Sequence, residues 1–407
     1  MDVSKIIEEN KKRLAILNSP YDPISGLGSP IEREKISFDD ADDIYIPSEM
    51  IKHSEFTQKL ISVKSFGKFA KEHDVDIDFA IEFFIRERYF YDFEYWAATT
   101  ITILNKETGQ PFKFKLRKAQ LIPLIELERM RLAGIPLRMI ILKARQWGGS
   151  TLVQIYMMWI QQIHKTNWHL AVCAQDDGAA SNISELYRRA AKLYPEEVGR
   201  ISFKPYARSP KNIVGIERGG IIGVGSINNP DQFRSFNYFM IHISEPGVWE
   251  DTPKRTAMQL VQSLRSIVPK KPYTSVVLES TAKGVCKFFH DEWLAAEKGE
   301  SSYVPVFVPF FKIDMYQKEI GDYTEFIKSM SDEDKFTWDC GGTLESIAWY
   351  NSHMEGEQYE LSMMQEEFPR TPEEAFISTG QRIFPYTYIS KARENTDDPI
   401  AVGSIFP

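Results

Sequence analysis

The sequence predicts an α/β protein, a mostly parallel sheet flanked by helices, preceded by an N-terminal helical or extended arm. Two observations carry this expectation. From about Tyr95 onward, short apolar runs alternate with amphipathic stretches long enough to cross back over a sheet. Before that point the chain is turn-rich, acidic or helix-periodic, and the alternation is missing. A chain of 407 residues exceeds one ordinary core, which predicts about two domains or one large α/β domain with an appendage. The expected division is an arm with an accessory helical region over 1–95, an α/β core over 96–311 and a helical lid or linker over 312–407.

Taken in chain order, the first ~50 residues combine Asn18-Ser-Pro-Tyr-Asp-Pro23 and Gly26-Leu-Gly-Ser-Pro30 with the acidic run Asp39-Asp-Ala-Asp-Asp43, and read as an extended arm. From Ser54 to Tyr91, apolar residues recur at helical spacing through Phe66, Phe69, Ala70, Ile77, Ala80, Ile81 and Phe84, which predicts a helical layer. The predicted strands are Met139–Lys143, His169–Ala174, Gly220–Ser226, Phe239–Ser244 and Ser275–Glu279, each short and apolar as buried parallel strands are. Thr151–His164, Gly178–Leu193 and Thr256–Ile267 are the predicted crossover helices. Beyond Phe311 the chain turns polar and aromatic, and a small helical region is expected.

Composition narrows the class of protein. With 43% hydrophobic and 26% charged residues, low-complexity and fibrous chains are excluded. No run approaches ~18 apolar residues and no secretory pattern opens the chain, so the expectation is a protein of the cytoplasm with no membrane partner. Cys173, Cys286 and Cys340 lack metal spacing and are expected to be reduced thiols, with no zinc site. The net charge is −8, yet residues 1–95 hold 13 Lys and Arg against 20 Asp and Glu, which leaves 36 against 37 elsewhere. A balanced main body means that any nucleic-acid contact must rest on local basic groups.

The stretch Met139-Ile-Ile-Leu-Lys143-Ala-Arg145-Gln146-Trp147-Gly148-Gly149-Ser150-Thr151 is the most informative. It reads as an apolar strand, a turn and a helix beginning near Gly149. Glycines let a backbone approach phosphate closely, the first amides of the helix point at it, and the Ser150 hydroxyl can reach Mg²⁺. Laid over the pattern G-x-x-x-x-G-K-[ST], the chain has Gly149 where the lysine belongs and Lys143 at the first position. The cation is therefore moved to the end of the strand, where it can still offset charge on the β and γ phosphates. Arg145 is a second candidate cation. Taken alone, the loop also reads as a β–α turn packed for structural reasons.

Two further strand ends carry chemistry. The run Tyr238-Phe-Met-Ile-His-Ile-Ser244 leads straight into Glu245, and strand C-termini line the ligand crevice of such sheets, so Glu245 is the candidate base that polarises a water. The residue before it is usually Asp in nucleotide hydrolases, where it helps hold Mg²⁺; Ser244 does so more weakly or through water. Ser275-Val-Val-Leu-Glu279 runs into Ser280 and Thr281, hydroxyls suited to sensing loss of a γ-phosphate. Gln120, shortly before the phosphate strand, offers the donor and acceptor that an adenine edge needs.

With these elements in this order, the chain resembles the ATPase motor of the large terminase subunit of tailed bacteriophages. The matching pieces are Gln120, the Lys143-Ala-Arg-Gln-Trp-Gly-Gly-Ser-Thr151 loop, the strand ending His242-Ile-Ser-Glu245 with Trp249 after it, Glu279-Ser-Thr-Ala-Lys-Gly284, and Phe368-Pro-Arg-Thr-Pro-Glu-Glu-Ala-Phe376. The resemblance spans about Tyr95 to Phe384. It implies an additional-strand P-loop NTPase fold and Mg²⁺-dependent ATP hydrolysis that pumps double-stranded DNA through a portal protein into a procapsid. It also implies a small terminase subunit as partner, self-association into a ring on the portal, and work in the host cytoplasm with transient residence at the portal vertex.

In the family's deviant loops a front lysine contacts phosphate, which fits Lys143, and Ser before the catalytic glutamate also occurs. An arginine stabilises the transferring phosphate, a role that the resemblance carries to Arg145 or, from a neighbouring subunit, to Arg234. Family members usually continue into an RNase H-like nuclease; the chain ends at Pro407, so no nuclease residue is assigned. Candidate DNA-contacting groups are Arg188, Arg189 and Lys192, the segment Lys204 to Lys211, and Lys270 with Lys271. The acidic arm is the better candidate for regulation or protein docking. A helicase-like translocase and a non-hydrolysing structural adaptor are the competing readings.

Overall fold

The computed structural model describes residues 2–105, 108–206, 209–215, 217–228, 233, 237–251, 256–282 and 287–376. The expectation of an extended arm is corrected at its start. Residues Val3–Leu17 form a helix, α1, begun by the Asp2 carboxylate, which accepts from the Ser4 and Lys5 amides. A hairpin of β1 (Arg33–Ile36) and β2 (Ile44–Pro47) follows, then α2 (Ser48–His53). The region 54–91 is three helices, α3 (Glu55–Val63), α4 (Phe66–Glu72) and α5 (Ile77–Tyr91). The breaks have local causes. Lys64 takes a left-handed conformation at φ 56°, and Ser65 and Asp76 restart the chain as side-chain caps.

The acidic run is engaged within the molecule. Asp40 accepts from the Ser65 hydroxyl and the Phe66 and Gly67 amides at the start of α4, while Asp39 pairs with Lys68 and Asp43 with Lys35. Arg33 of the hairpin reaches Asp92 at 2.6 Å and Glu94 at 2.5 Å, which ties it to α6 (Phe93–Thr100). Short strands β3 (Thr102–Leu104) and β4 (Pro111–Lys113) and helix α7 (Lys118–Leu132) lead into the main sheet.

The sheet contains β5 (Leu137–Lys143), β6 (His169–Ala174), β7 (Phe203–Tyr206), β8 (Ser209–Gly215), β9 (Ile221–Ser226), β10 (Tyr238–Ser244), β11 (Ser275–Ser280) and β12 (Val304–Val308). Their order is β12-β5-β11-β10-β6-β9-β8-β7. The first six are parallel, and β8 and β7 continue as an antiparallel edge. All five strands expected from the sequence are present to within two residues at each end. One strand, β11, separates the strand that carries the glycine loop from the strand that carries Glu245. That insertion defines an additional-strand P-loop sheet.

Strand alternation divides the core into two layers. Met139 and Ile141 of β5 face the cluster shared with α7 and α8 (Gly149–Trp159), whereas Ile140 and Leu142 face the cluster shared with α10 (Ala257–Ile267) and α11 (Lys287–Glu297). Helix α9 (Asp177–Lys192), capped by Asp176, covers β6 and β9. Helix α10 starts with a reciprocal Thr256–Gln259 capping box. Cys173 is a free thiol in the core and Cys340 is free and half-buried. After β12 come α12 (Tyr323–Ser329), α13 (Asp332–Asp339), α14 (Leu344–Gly356), α15 (Leu361–Glu367) and α16 (Pro372–Ala375). Helix α1 packs here, with Ile6 against Ile327, Trp338 and Leu344, and Asn10 bonded to Glu345. Among the described residues no helix is long and apolar enough to cross a membrane.

Candidate active site

Parallel register places three strand ends side by side. Ser244 of β10 is the Cα partner of Glu279 of β11, and Ser280 of β11 is the partner of Leu142 of β5. Lys143, Glu245 and the Ser280-Thr281 pair therefore leave the sheet at one edge, the carboxyl end where open α/β sheets hold ligands.

The loop after β5 is shaped by two left-handed residues, Gln146 at φ 59° and Gly148 at φ 88°. A side chain at 148 is excluded twice, by that backbone conformation and because a Cβ would lie 2.8 Å from the Gln120 amide nitrogen. At 149 a Cβ would meet the buried Trp147 ring at 2.8 Å. Helix α8 then begins with no side-chain cap, and the backbone amides of its first turn, Gly149, Ser150 and Thr151, have no acceptor within the helix.

Lys143 is almost fully buried, and its ammonium lies 2.7 Å from Glu245 Oε1 and 2.9 Å from Glu279 Oε2. Burial disfavours the ammonium, but the two carboxylates outweigh it and hold the Lys143 pKa above the ordinary lysine value. Glu245 is partly open to solvent and sits in the left-handed region at φ 52°, ψ 43°, a conformation that costs roughly 1–2 kcal/mol for a non-glycine residue. It is held there by its own amide, which donates to Glu279 O at 2.7 Å, and by the Thr281 amide, which donates to Oε2 at 3.0 Å. The hydroxyls of Ser280 and Thr281 reach the same oxygen at 3.2 and 3.5 Å. The two candidate coupling residues thus touch the candidate base directly.

Glu279 is the residue to which the sequence assigned no role. It is completely buried, and its Oε1 accepts from Ser150 Oγ at 2.6 Å, Ser244 Oγ at 2.8 Å and His242 Nε2 at 3.2 Å. The Gln154 amide nitrogen lies 2.8 Å from His242 Nδ1, which assigns the imidazole proton to Nε2, facing Glu279. Burial opposes the Glu279 charge, yet Lys143 and the His242 and Ser150 hydrogen bonds outweigh it and hold the carboxyl well below its ordinary range. His242 and Gln154 were equally invisible, since both read as core positions of a strand and a helix.

The remaining candidates are placed as follows. Gln120 is buried, its amide nitrogen donating to Gly148 O at 2.8 Å and its oxygen accepting from the Arg117 amide at 2.9 Å, so it braces the loop. Arg145 is engaged by Glu367, its Nε 3.1 Å from the carboxylate and its amide bonded to Glu367 O, which fastens the loop to α15. Arg234, Lys283 and Gly284 lie outside the described residues. Of the basic candidates, Arg189 pairs with Glu185 on α9, Lys204 is exposed, and Lys270 and Lys271 precede β11 at the sheet edge opposite the site.

Among the described residues no group of three or more His, Cys, Asp or Glu forms a protein-only metal cage. The donor set fits Mg²⁺ all the same, because that ion takes one or two oxygen ligands from protein and the rest from water and phosphate. Ser150 and the nearby carboxylates are such a set.

With β11 between β5 and β10, the strand order is that of an additional-strand P-loop sheet. No protein-family model matches the chain, and no characterised protein matches it in sequence. Solved structures that it resembles include the large terminase of bacteriophage HK97, at 13% identity and TM-score 0.46 over 69% of this chain and 54% of that one. The ATPase domain of the Thermus phage P74-26 large terminase is matched at 13% identity and TM-score 0.35, over 57% of this chain and 87% of that one. A third is the large terminase of a thermophilic bacteriophage in complex with ADP, at 12% identity and TM-score 0.35 over 55% and 49% of the two chains. The chain thus spans about half the length of the HK97 protein.

Proposed function

We propose that the chain is the ATPase motor of a large terminase, hydrolysing ATP to move double-stranded viral DNA through a portal into a procapsid. One observation carries this reading: the displaced loop lysine and the strand-end glutamate meet in an ion pair, 2.7 Å apart, at the carboxyl end of the sheet. A cation for phosphate charge and a carboxylate for water have to be neighbours if they act on one triphosphate. The loop amides of Gly149, Ser150 and Thr151 would cradle the phosphates, Lys143 would exchange a carboxylate for phosphate oxygen, and Glu245 would orient the attacking water. Mg²⁺, when bound, supplies charge neutralisation at the phosphates, with Ser150 as its protein ligand and Ser244 nearby through water. Ser280 and Thr281, bonded to Glu245, would pass the state of the site to β11. Arg145 and Arg234 are the proposed transition-state cations and Gln120 the proposed adenine contact; to serve, Arg145 would have to leave Glu367, and Gln120 would have to give up its bonds to Gly148 O and the Arg117 amide.

The portal protein, a small terminase subunit and neighbouring copies in a ring are the proposed partners, met in the host cytoplasm at the portal vertex. The test is phosphate release by the full chain with Mg-ATP, with and without double-stranded DNA and procapsids. The expected result is slow basal turnover raised by DNA and abolished by Lys143→Ala and by Glu245→Ala. If both variants keep DNA-stimulated turnover, the motor reading is abandoned. Strand separation with no procapsid requirement replaces it with a helicase-like translocase, and absence of Mg-ATP binding with a structural adaptor.

A further inference from the structure

In a nucleotide hydrolase the strand that ends in the catalytic glutamate usually carries an aspartate just before it, and that aspartate serves the Mg²⁺ site. Here the position is Ser244, which has no charge to offer. The Ser244 hydroxyl donates to Glu279 Oε1 at 2.8 Å, and the loop hydroxyl of Ser150 donates to the same atom at 2.6 Å. Glu279 and Ser244 are Cα partners across β10 and β11. The carboxylate is therefore present at the expected level of the sheet, one strand to the side.

We infer that Glu279 is the positioning carboxylate of the divalent-cation site, supplying from β11 the negative charge that position 244 lacks and orienting the Ser150 hydroxyl toward the cation. The inference rests on the nucleotide-hydrolase reading given above. Three observations support it. A hydroxyl that gives its proton to Glu279 keeps its lone pairs directed elsewhere, so Ser150 remains free to bind a cation while bonded. Lys143, Glu245 and Glu279 together carry one positive and two negative charges, and a triphosphate adds more negative charge, so one ammonium cannot balance the loaded site. A glutamate that served only as counter-ion to Lys143 would need that one contact, whereas Glu279 also holds both serines of the cation site and His242, which Gln154 fixes in the donating tautomer.

The experiment measures ADP affinity of the full chain by calorimetry in excess Mg²⁺ and in EDTA, for wild type, Glu279→Gln, and Glu279→Gln combined with Ser244→Asp. Carboxylates that orient a metal ligand contribute about 10–100-fold in metal affinity. Glu279→Gln is therefore expected to lose at least about tenfold of the Mg²⁺-dependent gain, the ratio of ADP affinity in Mg²⁺ to that in EDTA. Ser244→Asp, which returns a carboxylate to β10, is expected to restore the gain. An unchanged Mg²⁺ dependence in a folded Glu279→Gln protein overturns the inference. Failure of wild type to bind ADP in either condition sinks the nucleotide reading itself, which is a different result. Should Glu279→Gln not fold, a structure of wild type with Mn-ADP decides: Mn²⁺ on Ser150 with that hydroxyl still bonded to Glu279 supports the assignment, and Mn²⁺ remote from both contradicts it.

Discussion

Replacing Lys143 with Met removes the ammonium from between two carboxylates and keeps a side chain of similar length. At contact distances of 2.7 and 2.9 Å and an effective dielectric of about 20, each attraction is worth roughly 5–6 kcal/mol before the cost of burying the charges. Desolvation cancels much of this, and breaking a buried pair by removing one partner typically costs about 3–5 kcal/mol, because the other charge is left stranded. Glu279 is the stranded group, since Glu245 can turn to solvent. The expected loss of unfolding free energy is therefore about 3–5 kcal/mol in urea titrations followed by tryptophan fluorescence near pH 8. Adding Glu279→Gln should recover part of the loss, since an amide is far cheaper to bury than an unpaired carboxylate.

The pH dependence has a definite sign. In wild type the depressed Glu279 pKa gives stability that is present above its ordinary value of 4.5 and is lost as pH falls through the folded-state value. Without Lys143, burial dominates and the carboxyl pKa rises, so the deficit of Lys143→Met should shrink as the pH is lowered toward 4.5. A loss below about 1 kcal/mol would class the contact with surface ion pairs and refute the reasoning. So would a double variant less stable than the single one.

Gly148→Ala should cost about 1–2 kcal/mol from backbone conformation alone and break the Gln120 brace, seen as a lowered urea midpoint together with weakened ADP binding; a neutral substitution would contradict the loop geometry. His164 is packed against the rings of Phe90, Trp159 and Tyr273, and its ring nitrogens have no hydrogen-bond partner among the described residues. Burial, with Arg131, Lys165 and Arg218 nearby, lowers its pKa from 6.5 to about 3. The stability this gives is present above 6.5 and is lost as pH falls toward 3, so wild type should lose about 2 kcal/mol more than His164→Phe between pH 7 and 5; parallel pH profiles would exclude the explanation. Arg370→Met strands the fully buried Glu374, and a loss of about 3–5 kcal/mol is expected from chemical unfolding, against little change if the pair is unimportant.

The sheet was legible because its central strands are buried on both faces and so appear as unbroken apolar runs. The edges were not. Strand β12, Val-Pro-Val-Phe-Val, carries a proline and follows a polar turn, and the β7–β8 hairpin lies in a stretch rich in Lys, Asn and Pro. Helix α1 was masked by the turn signals that follow it, although its Asp2 cap is present in the sequence. In the site, Lys143, Glu245, Ser280 and Thr281 stood out because each ends an apolar strand. Glu279 did not, because its place depends on lateral register: only the pairing of β11 with β10 and β5 brings it to Ser244, Ser150 and Lys143. Arg145 likewise looked free because its partner, Glu367, is on a distant helix.

Calorimetric titration of the full chain with Mg-ATPγS tests the central claim most directly. Wild type should bind one equivalent that ADP displaces, and Lys143→Met combined with Glu279→Gln, with the buried charge removed, should stay folded and fail to bind. Wild type that takes up no nucleotide, or a folded double variant that binds as wild type does, would show that the three strand ends do not share a triphosphate.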